Sequence, residues 1–227
     1  MGLPPSRNRD SGRVMDVLRK VESGTTTIGV VCRDGVILAS DTRATMGHLV
    51  AHKKAKKIHK IDEHLGMTIA GGLADAQWVV DVLRANSRLY RLELGRPMPV
   101  RSAAVLVANL LFRRRLFPLL TQLLVGGHDS EGFHVFCLDP WGSLTEEECV
   151  ATGSGSFIAY GVLEGSYDRG KGVDELLPVV VKAVCSAMKR DIASGDSFDV
   201  AVITRQGYRE LTEEEKKALS KNVGWSS

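Results

Sequence analysis

A run of three threonines, Thr25 to Thr27, follows Gly24 directly. A threonine hydroxyl inside a chain is a weak nucleophile, and it needs a base within hydrogen-bond reach. If the Gly24–Thr25 bond were cut, the new α-amino group of Thr25 would titrate at about pH 8 and could accept the hydroxyl proton, directly or through a water. Gly24 has no side chain, so its peptide could adopt the unusual geometry that attack by the Thr25 hydroxyl requires. Taken alone, the tripeptide favours a simpler interpretation, the β-branched start of a strand.

Charged residues stand at the ends of the next two predicted strands. Asp41 and Arg43 close one strand, and Lys57 comes just before another. A carboxylate, a guanidinium and an ammonium in these places could converge on the beginning of the first strand. The positive charge of a buried lysine would lower the pKa of a neighbouring hydroxyl or amine. Taken singly, each of these residues favours an ordinary surface salt bridge, which contributes little to stability.

The apolar pattern predicts strands in hairpins and helices in pairs. Strands are predicted over 25–32, 36–40, 57–62, 66–71, 122–126, 132–139, 148–152, 198–204 and 208–211. Helices are predicted over 74–94, 100–117, 157–163 and 173 to about 193, and a Thr212–Glu215 capping box opens a last short helix. This order differs from the βαβ alternation of a parallel sheet. It predicts an α+β fold, with two antiparallel sheets stacked face to face and a helix pair outside each.

Residues 1–24 differ in character from the remainder of the chain. They contain Pro4 and Pro5, carry a net charge of +2 and have no long apolar stretch. A short helix over 14–21 is compatible with the pattern, but the segment cannot form a core alone. We therefore interpret residues 1–24 as a disposable segment and residues 25–227 as a single domain.

Length and composition narrow the classes of protein. The chain has 227 residues, of which 44% are hydrophobic and 25% charged, so most of it can fold around a sizeable core. The formal net charge is only +3, and no basic stripe with interleaved aromatics is present, so nucleic acid is not an expected partner. No apolar run is long enough to span a bilayer, and the first segment lacks the apolar core of an export signal. We therefore predict neither membrane insertion nor export.

The cysteines and histidines do not indicate a metal site. The four cysteines are Cys32, Cys137, Cys149 and Cys185. None forms a C-x-x-C pair, and their apolar neighbours predict buried free thiols in a reducing compartment. Five of the six histidines are interpreted as surface or loop residues: His48, His52, His64, His128 and His134. No G-x-S-x-G motif supports a serine–histidine site, because Gly153 to Ser156 lacks that spacing.

Eight motifs occur in an order typical of one family. They are GTTTIG at 24–29, SDTRATM at 40–46, KK at 56–57, GMTIAG at 66–71, QLLVGG at 122–127, GSGS at 153–156, YGVLE at 160–164 and RDIASG at 190–195. The chain resembles the β subunits of archaeal 20S proteasomes from Thr25 to about Leu211. The resemblance implies the N-terminal nucleophile hydrolase fold, a four-layer αββα sandwich, which agrees with the predicted order of elements.

The resemblance also implies a role for each residue of the site. Thr25 is implied as the nucleophile, with its freed amine as the proton acceptor and Asp41 and Lys57 as charged partners. Gly71 is implied as the residue whose backbone N–H stabilises the oxyanion. A second group near the nucleophile, which would hold the amine and a water, consists of Ser154, Asp191 and Ser194. The implied substrate pocket consists of Ala44, Ala55, His59, Ile69, Leu73 and Gln77. Because every catalytic position carries the family's residue type, none of them indicates an inactive relative.

By this resemblance the chain is expected to be a threonine endopeptidase that cuts unfolded polypeptides inside a closed chamber. Residues 1–24 would be a propeptide, removed when the chain exposes Thr25 autocatalytically. No cofactor or metal is implied, and the expected location is cytoplasmic. The implied partners are proteasome α subunits and other β subunits in stacked rings of seven, together with an ATP-dependent unfoldase.

Three alternatives remain open from the sequence. The chain could be an unprocessed, structural β subunit of the same particle. It could also be another N-terminal nucleophile hydrolase, such as the bacterial two-ring protease or an amidase. A non-enzymatic scaffold on the same fold is the third alternative, because a fold does not determine a function.

Overall fold

The computed structural model of the chain describes residues 24–46 and 49–225. Segment 1–23, with the short helix predicted over 14–21, lies outside the described residues. The described residues form twelve strands: β1 (Thr27–Val31), β2 (Val36–Asp41), β3 (Ala44–Met46), β4 (Leu49–His52), β5 (Ile58–Asp62), β6 (Leu65–Gly71), β7 (Thr121–His128), β8 (Phe133–Leu138), β9 (Leu144–Glu146), β10 (Cys149–Thr152), β11 (Phe198–Thr204) and β12 (Gly207–Glu210). They also form five helices: α1 (Leu73–Leu94), α2 (Val100–Arg113), α3 (Ser156–Leu163), α4 (Val173–Arg190) and α5 (Glu213–Asn222).

Two five-stranded antiparallel sheets make up the centre of the molecule. The first has the strand order β10-β1-β2-β11-β12, and the second has the order β5-β6-β7-β8-β9. Apolar side chains of both sheets meet between them, among them Leu38, Leu124 and Val135. The residues of β1 and β2 are all buried, which explains why these strands read as nearly continuous apolar runs.

Each sheet is covered on its outer face by a pair of helices. Leu83 of α1 and Val107 of α2 pack on the second sheet around Phe136. Ala159 of α3 and Val180 of α4 pack on the first sheet, and α5 lies against α4. The predicted α+β sandwich of two antiparallel sheets between helix layers is therefore confirmed.

Two predicted helices end earlier than their apolar patterns suggest. Helix α2 ends at Arg113 rather than at residue 117, because Leu116 and Phe117 are exposed and offer no packing for another turn. Helix α4 ends at Arg190 rather than near residue 193. Asp191 follows it, and its carboxylate accepts the backbone N–H of Ala193, which favours a turn over continued helix.

Three short strands were not predicted. Strands β3 and β4 form a separate two-stranded hairpin, and every residue of β4 is exposed. Strand β9 is an edge strand of three residues with little apolar character. Such strands carry no apolar periodicity, so the sequence pattern cannot reveal them. The predicted capping box is present: the Thr212 hydroxyl accepts the N–H of Glu215, whose carboxylate accepts the N–H of Thr212.

The environments of the cysteines and histidines differ in part from those predicted. Cys32 and Cys185 are buried free thiols, but Cys137 and Cys149 are only half-buried, because each lies near the edge of its sheet. His64 lies in the turn between β5 and β6, as the loop alternative of its prediction states, but it is not a surface residue. Its side chain is buried, and its Nε2 lies 2.8 Å from the carbonyl oxygen of Met98.

The remaining histidines occupy varied positions. His52 is exposed, His128 and His134 are half-buried, and His48 lies outside the described residues. Across the part of the chain that the structure describes, no helix combines the length and apolar character needed to cross a bilayer.

Candidate active site at the start of the first strand

Asp41 and Lys57 form a buried ion pair beside the start of β1. Lys57 Nζ donates to Asp41 Oδ1 over 2.8 Å, and the two side chains are 1% and 0% exposed. Asp41 ends β2 in the first sheet, whereas Lys57 directly precedes β5 in the second. The pair therefore joins the two sheets at the end where the first strand begins.

Four donors surround the Asp41 carboxylate. Oδ1 accepts the N–H of Thr26 at 2.9 Å as well as the ammonium of Lys57. Oδ2 accepts the N–H groups of Arg43 and Gly195, each at 3.0 Å. A proton on either oxygen would displace one of these donors, so the arrangement favours the ionised carboxylate. Because Thr26 and Lys57 share one oxygen, the ammonium is held next to the backbone of the residue that follows Thr25.

Burial is the main influence on the protonation of this pair. Desolvation lowers the pKa of the Lys57 ammonium below its usual value, and the Asp41 carboxylate opposes this. Desolvation raises the pKa of the Asp41 carboxyl, against the Lys57 ammonium and two backbone N–H groups. Since four donors hold the carboxylate, Lys57 is the partner that can give up or take a proton at the lower cost.

A second cluster joins Asp191 to the first two threonines. The hydroxyls of Ser154 and Ser194 both donate to Asp191 Oδ2, each over 2.6 Å. Ser154 Oγ accepts the backbone N–H of Thr25 at 3.3 Å, and Ser194 Oγ lies 2.8 Å from the hydroxyl of Thr26. The structure thus brings together all three residues that the sequence assigned to a second group near Thr25.

Thr25 itself is buried, and its hydroxyl lies next to the peptide group that precedes it. The side chain is 2% exposed, and Oγ1 donates to the carbonyl oxygen of Gly24 over 2.7 Å. The N–H of Gly24 donates to Thr45 Oγ1 over 3.0 Å. The nucleophile candidate and the carbonyl it would attack are therefore already adjacent and held on both sides.

Arg43 supports the site from outside rather than facing the threonine. Its guanidinium donates to both carboxylate oxygens of Asp196, at 3.0 and 3.3 Å, and to the carbonyl of Ile192 at 2.8 Å. A side chain at Gly195 would collide with the guanidinium, because a Cβ there would lie 2.4 Å from its Cζ. Arg43 thus fixes the loop that carries Asp191 and Ser194.

Glycines at two positions, Gly71 and Gly153, allow another backbone segment to approach closely. Gly71 ends β6 with a φ of +114°, and a Cβ on it would lie 2.2 Å from the carbonyl oxygen of Leu120. Gly153 has a φ of +88°, and a Cβ on it would lie 2.0 Å from the carbonyl oxygen of Thr25. Both conformations are ones that residues with a side chain rarely adopt. Gly71 lies two residues beyond Ile69, whose N–H donates to the carbonyl of Lys57.

The residues predicted to line a substrate pocket are spread over several elements of the fold. Ala44 is buried, Ala55 is half-buried and donates its N–H to the carbonyl of Thr42, and Gln77 is exposed on α1. Ile69 is fully buried beneath α1 and α2. The side chain of Leu73 lies outside what the structure describes.

His59, the remaining pocket residue, lies on β5 opposite Met67 of β6. Burial lowers the pKa of its imidazole, and its Nε2 is buried without a hydrogen-bond partner among the described residues. A groove of about 790 Å³ lies elsewhere, at the far end of β1 near Arg33 and Tyr208, and none of the predicted pocket residues lines it. Within the described ranges, no cluster of three or more histidine, cysteine, aspartate or glutamate side chains is arranged to hold a metal ion.

Three contacts of the site were missed by sequence reasoning. The hydroxyls of Thr26 and Ser194 are hydrogen-bonded, and the N–H of Gly24 donates to the hydroxyl of Thr45. Ala193 lies against Gly24. Thr26 belongs to the threonine run that drew attention to Thr25, so its position was a usable signal. Thr45 and Ala193 lie in two of the eight motifs, but the motifs do not reveal their contacts with Gly24, which arise only when distant segments fold together.

The stacked antiparallel sheets between helix layers define the N-terminal nucleophile hydrolase fold. The Proteasome subunit family model matches residues 21–203. The chain is 49% identical over 201 residues to the proteasome subunit beta of Methanocaldococcus vulcanius, which covers 88% of this chain and 90% of that protein. It is 48% identical to the corresponding subunit of Ferroglobus placidus over 88% of this chain and 96% of that protein. It is 46% identical to the proteasome subunit beta of Methanosarcina mazei, in an alignment that covers 88% of this chain and 95% of that protein.

The chain therefore belongs to the proteasome subunit family. The resemblance to archaeal 20S proteasome β subunits, inferred from the eight motifs, is confirmed. As a family member the chain is a component of a multi-subunit particle, and the general activity of the family is peptide hydrolysis.

Proposed function

We propose that the chain is a catalytic β subunit of the 20S proteasome core, a threonine endopeptidase whose nucleophile is Thr25. The observation that carries the proposal is the position of the buried Thr25 hydroxyl. It lies beside the Gly24 carbonyl. The backbone N–H of Thr25 donates to Ser154 of the Asp191 cluster, and the N–H of the next residue, Thr26, donates to Asp41 of the Asp41–Lys57 pair. A strand start without catalytic function would not need a buried ion pair, whose desolvation is costly.

In the proposed activation step, the Thr25 oxygen attacks the carbonyl carbon of Gly24. The hydroxyl now points at the carbonyl oxygen, so the side chain must turn towards the carbon first. Before cleavage the nitrogen of Thr25 is an amide and cannot act as a base, so Lys57 or a water takes the hydroxyl proton. The Gly24–Thr25 C–N bond breaks, the nitrogen takes up a proton, and an ester forms on the Thr25 oxygen. Water then hydrolyses the ester and releases residues 1–24 as a propeptide.

In the mature subunit the freed amine of Thr25 replaces the outside base. Its pKa near 8 suits proton transfer at neutral pH. Ser154 already bonds to this nitrogen and would hold the amine, while Asp191 and Ser194 keep Ser154 and Thr26 in place. The positive charge of Lys57 would favour the threonine alkoxide.

The oxyanion and the substrate have separate proposed positions. The backbone N–H of Gly71 would stabilise the oxyanion, because glycine alone fits this conformation comfortably. We propose a pocket formed by the six residues predicted from the resemblance: Ala44, Ala55, His59, Ile69, Leu73 and Gln77. Ala44, Ala55 and Ile69 are apolar and no carboxylate is included, so large apolar side chains should be preferred.

The proposed setting is a closed chamber in the cytoplasm. Stacked seven-membered rings of α and β subunits would form it, and an ATP-dependent unfoldase would supply unfolded polypeptides. Peptide-bond hydrolysis by this site would need no cofactor. The names of the relatives support the β-subunit assignment, and the complete set of site residues supports the catalytic form of that subunit.

An unprocessed structural β subunit is the main competing function. Intact-mass measurement and N-terminal sequencing of the β chain, taken from assembled particles, separate the two. A chain that starts at Thr25 supports the proposal. A chain that still starts at Met1 in fully assembled particles contradicts it and supports the structural role.

A further inference from the structure

Gly24 is packed against Ala193 so closely that no side chain fits between them. A Cβ built on Gly24 would lie 1.7 Å from the Cβ of Ala193 and 2.9 Å from its Cα. Unbonded carbon atoms do not approach below about 3.5 Å without strong repulsion. The same Cβ would lie 3.1 Å from Ser154 Oγ, so a shift in that direction is also restricted.

Both partners of this contact are held by other bonds. Gly24 donates its N–H to Thr45 and accepts the hydroxyl of Thr25 at its carbonyl oxygen. The N–H of Ala193 donates to Asp191 Oδ1 at 3.2 Å, and the preceding carbonyl, of Ile192, is bound by Arg43. A larger residue at position 24 therefore has to displace either the scissile peptide or the loop that carries Asp191.

We propose that Ala193 is the specificity-determining residue for self-cleavage, because it admits only glycine before the bond that is cut. This inference rests on the proposed function of Thr25. It gives self-cleavage and substrate cleavage opposite rules at the residue before the cut bond. The proposed apolar pocket accepts large side chains from substrates, whereas the space next to Ala193 accepts none.

The contact with Ala193 also gives a second explanation for the presence of glycine at position 24. The first explanation is that only glycine adopts the backbone geometry that attack by Thr25 requires. If glycine were needed only for an unusual conformation, the neighbouring residue would not matter. If glycine is needed because Ala193 occupies the space, removing the methyl group of Ala193 relieves the 1.7 Å contact and should restore part of the cleavage after alanine. The 2.9 Å contact with the Ala193 Cα remains and needs a small shift of the backbone, so recovery should be partial. The two explanations therefore predict different results for one double variant.

The test measures loss of residues 1–24 by mass spectrometry after the chain is co-expressed with proteasome α subunits. Gly24→Ala should slow trimming on the order of a hundredfold, since misplacing the reacting groups by about 1 Å has this effect. Adding Ala193→Gly should recover at least about tenfold of that loss. The matched control adds Ile192→Gly instead, which loosens the same loop but removes a side chain that is 81% exposed. This control should recover nothing.

Native particle mass, measured in parallel, separates failed trimming from failed assembly. The inference is supported if the double variant with Ala193→Gly recovers trimming and the control double variant with Ile192→Gly does not. Normal trimming of Gly24→Ala, no recovery by Ala193→Gly in assembled particles, or equal recovery by both double variants would each overturn it while leaving Thr25 as the nucleophile. A parent chain that assembles untrimmed would overturn the proposed function as well.

Discussion

Lys57 Nζ lies 2.8 Å from Asp41 Oδ1, although Asp41 ends a strand of the first sheet and Lys57 directly precedes a strand of the second. The shared oxygen also accepts the N–H of Thr26, so any movement of one sheet against the other would change the position of the threonine run. The geometry at Thr25 therefore depends on how the whole sandwich packs. This relationship explains why we expect docking of neighbouring subunits, which would fix the two sheets, to accelerate self-cleavage.

Replacement of Lys57 tests this arrangement most directly. Lys57→Ala leaves the Asp41 carboxylate buried without its counter-ion, which should cost about 3–5 kcal/mol of unfolding free energy. The same change removes the charge that would favour the Thr25 alkoxide, so the full precursor mass should persist in assembled particles. Chemical denaturation and mass spectrometry measure the two effects.

The neighbouring lysine is the matched control. Lys56 pairs with Glu210 at the surface, where the two side chains are 57% and 44% exposed. Lys56→Ala should change stability by no more than about 1 kcal/mol and should leave trimming intact. Normal trimming in Lys57→Ala would exclude the proposed role of the lysine in activation.

Replacement of Thr25 separates the nucleophile from the fold. Thr25→Ala should assemble, because the backbone bonds from Thr25 and Thr26 to Ser154 and Asp41 do not use the lost oxygen. Peptide hydrolysis should fall to background. Thr25→Ser keeps a hydroxyl and should retain part of the activity. Normal turnover by Thr25→Ala, in a particle that holds no other type of β subunit, would show that another group is the nucleophile.

The sequence predicted the two sheets and the helix pairs because the buried strands and helix faces carry strong apolar patterns. Strands β1 and β2 are the best example, since all their residues are buried. The β3–β4 hairpin escaped prediction because β4 is exposed, and nothing in its composition reports a neighbour that lies in another segment. Helix ends were misjudged for a related reason. Exposed side chains such as Phe117 offer no packing beyond α2, and the hydrogen bond from Ala193 to Asp191 favours a turn after α4.

The candidate site, like the fold, could be predicted from the sequence only in part. Asp41 and Lys57 could be noticed from the sequence because opposite charges stand at the ends of predicted strands that neighbour the threonine run. Their positions at strand ends left two interpretations open, convergence on the first strand or a surface salt bridge, and the family resemblance favoured convergence. The grouping of Ser154, Asp191 and Ser194 followed from the resemblance alone. The role proposed for Ala193 could not be predicted from the sequence, because an alanine side chain has no reactive group and its effect depends on where its methyl group lies.

The four cysteines should be inert towards thiol reagents while the chain is folded. Burial raises the pKa of Cys32, Cys149 and Cys185 to about 12, and that of Cys137 to about 11. At pH 8 a thiol with a pKa near 12 is ionised in only about one molecule in ten thousand, and the thiolate is the reactive form.

The direction of this shift also predicts a pH dependence of stability. The folded-state pKa lies above that of the unfolded chain, near 9, so folding favours the protonated thiols. Their contribution is complete below pH 9 and is lost as the pH rises towards 12.

The inertness of the cysteines is measured by labelling. An alkylating reagent at pH 8, followed by mass spectrometry, should show unmodified native chain and four modified cysteines after denaturation. Rapid labelling of the native particle would contradict the raised pKa values of these thiols.

The proposed pocket predicts the order of substrate preference. Cleavage after leucine, phenylalanine or tyrosine should exceed cleavage after arginine or lysine, since each buried methylene contributes about 0.8 kcal/mol and no carboxylate is present to pair with a basic group. Gln77→Glu should raise kcat/KM for basic substrates, by up to about fivefold for a partly exposed charge pair worth about 1 kcal/mol. Gln206→Glu, the matched control, adds the same charge at the β11–β12 turn and should change nothing. A panel of fluorogenic peptides measures all of these values. A preference for basic residues in the parent particle, or an equal response to both glutamates, would show that the pocket lies elsewhere.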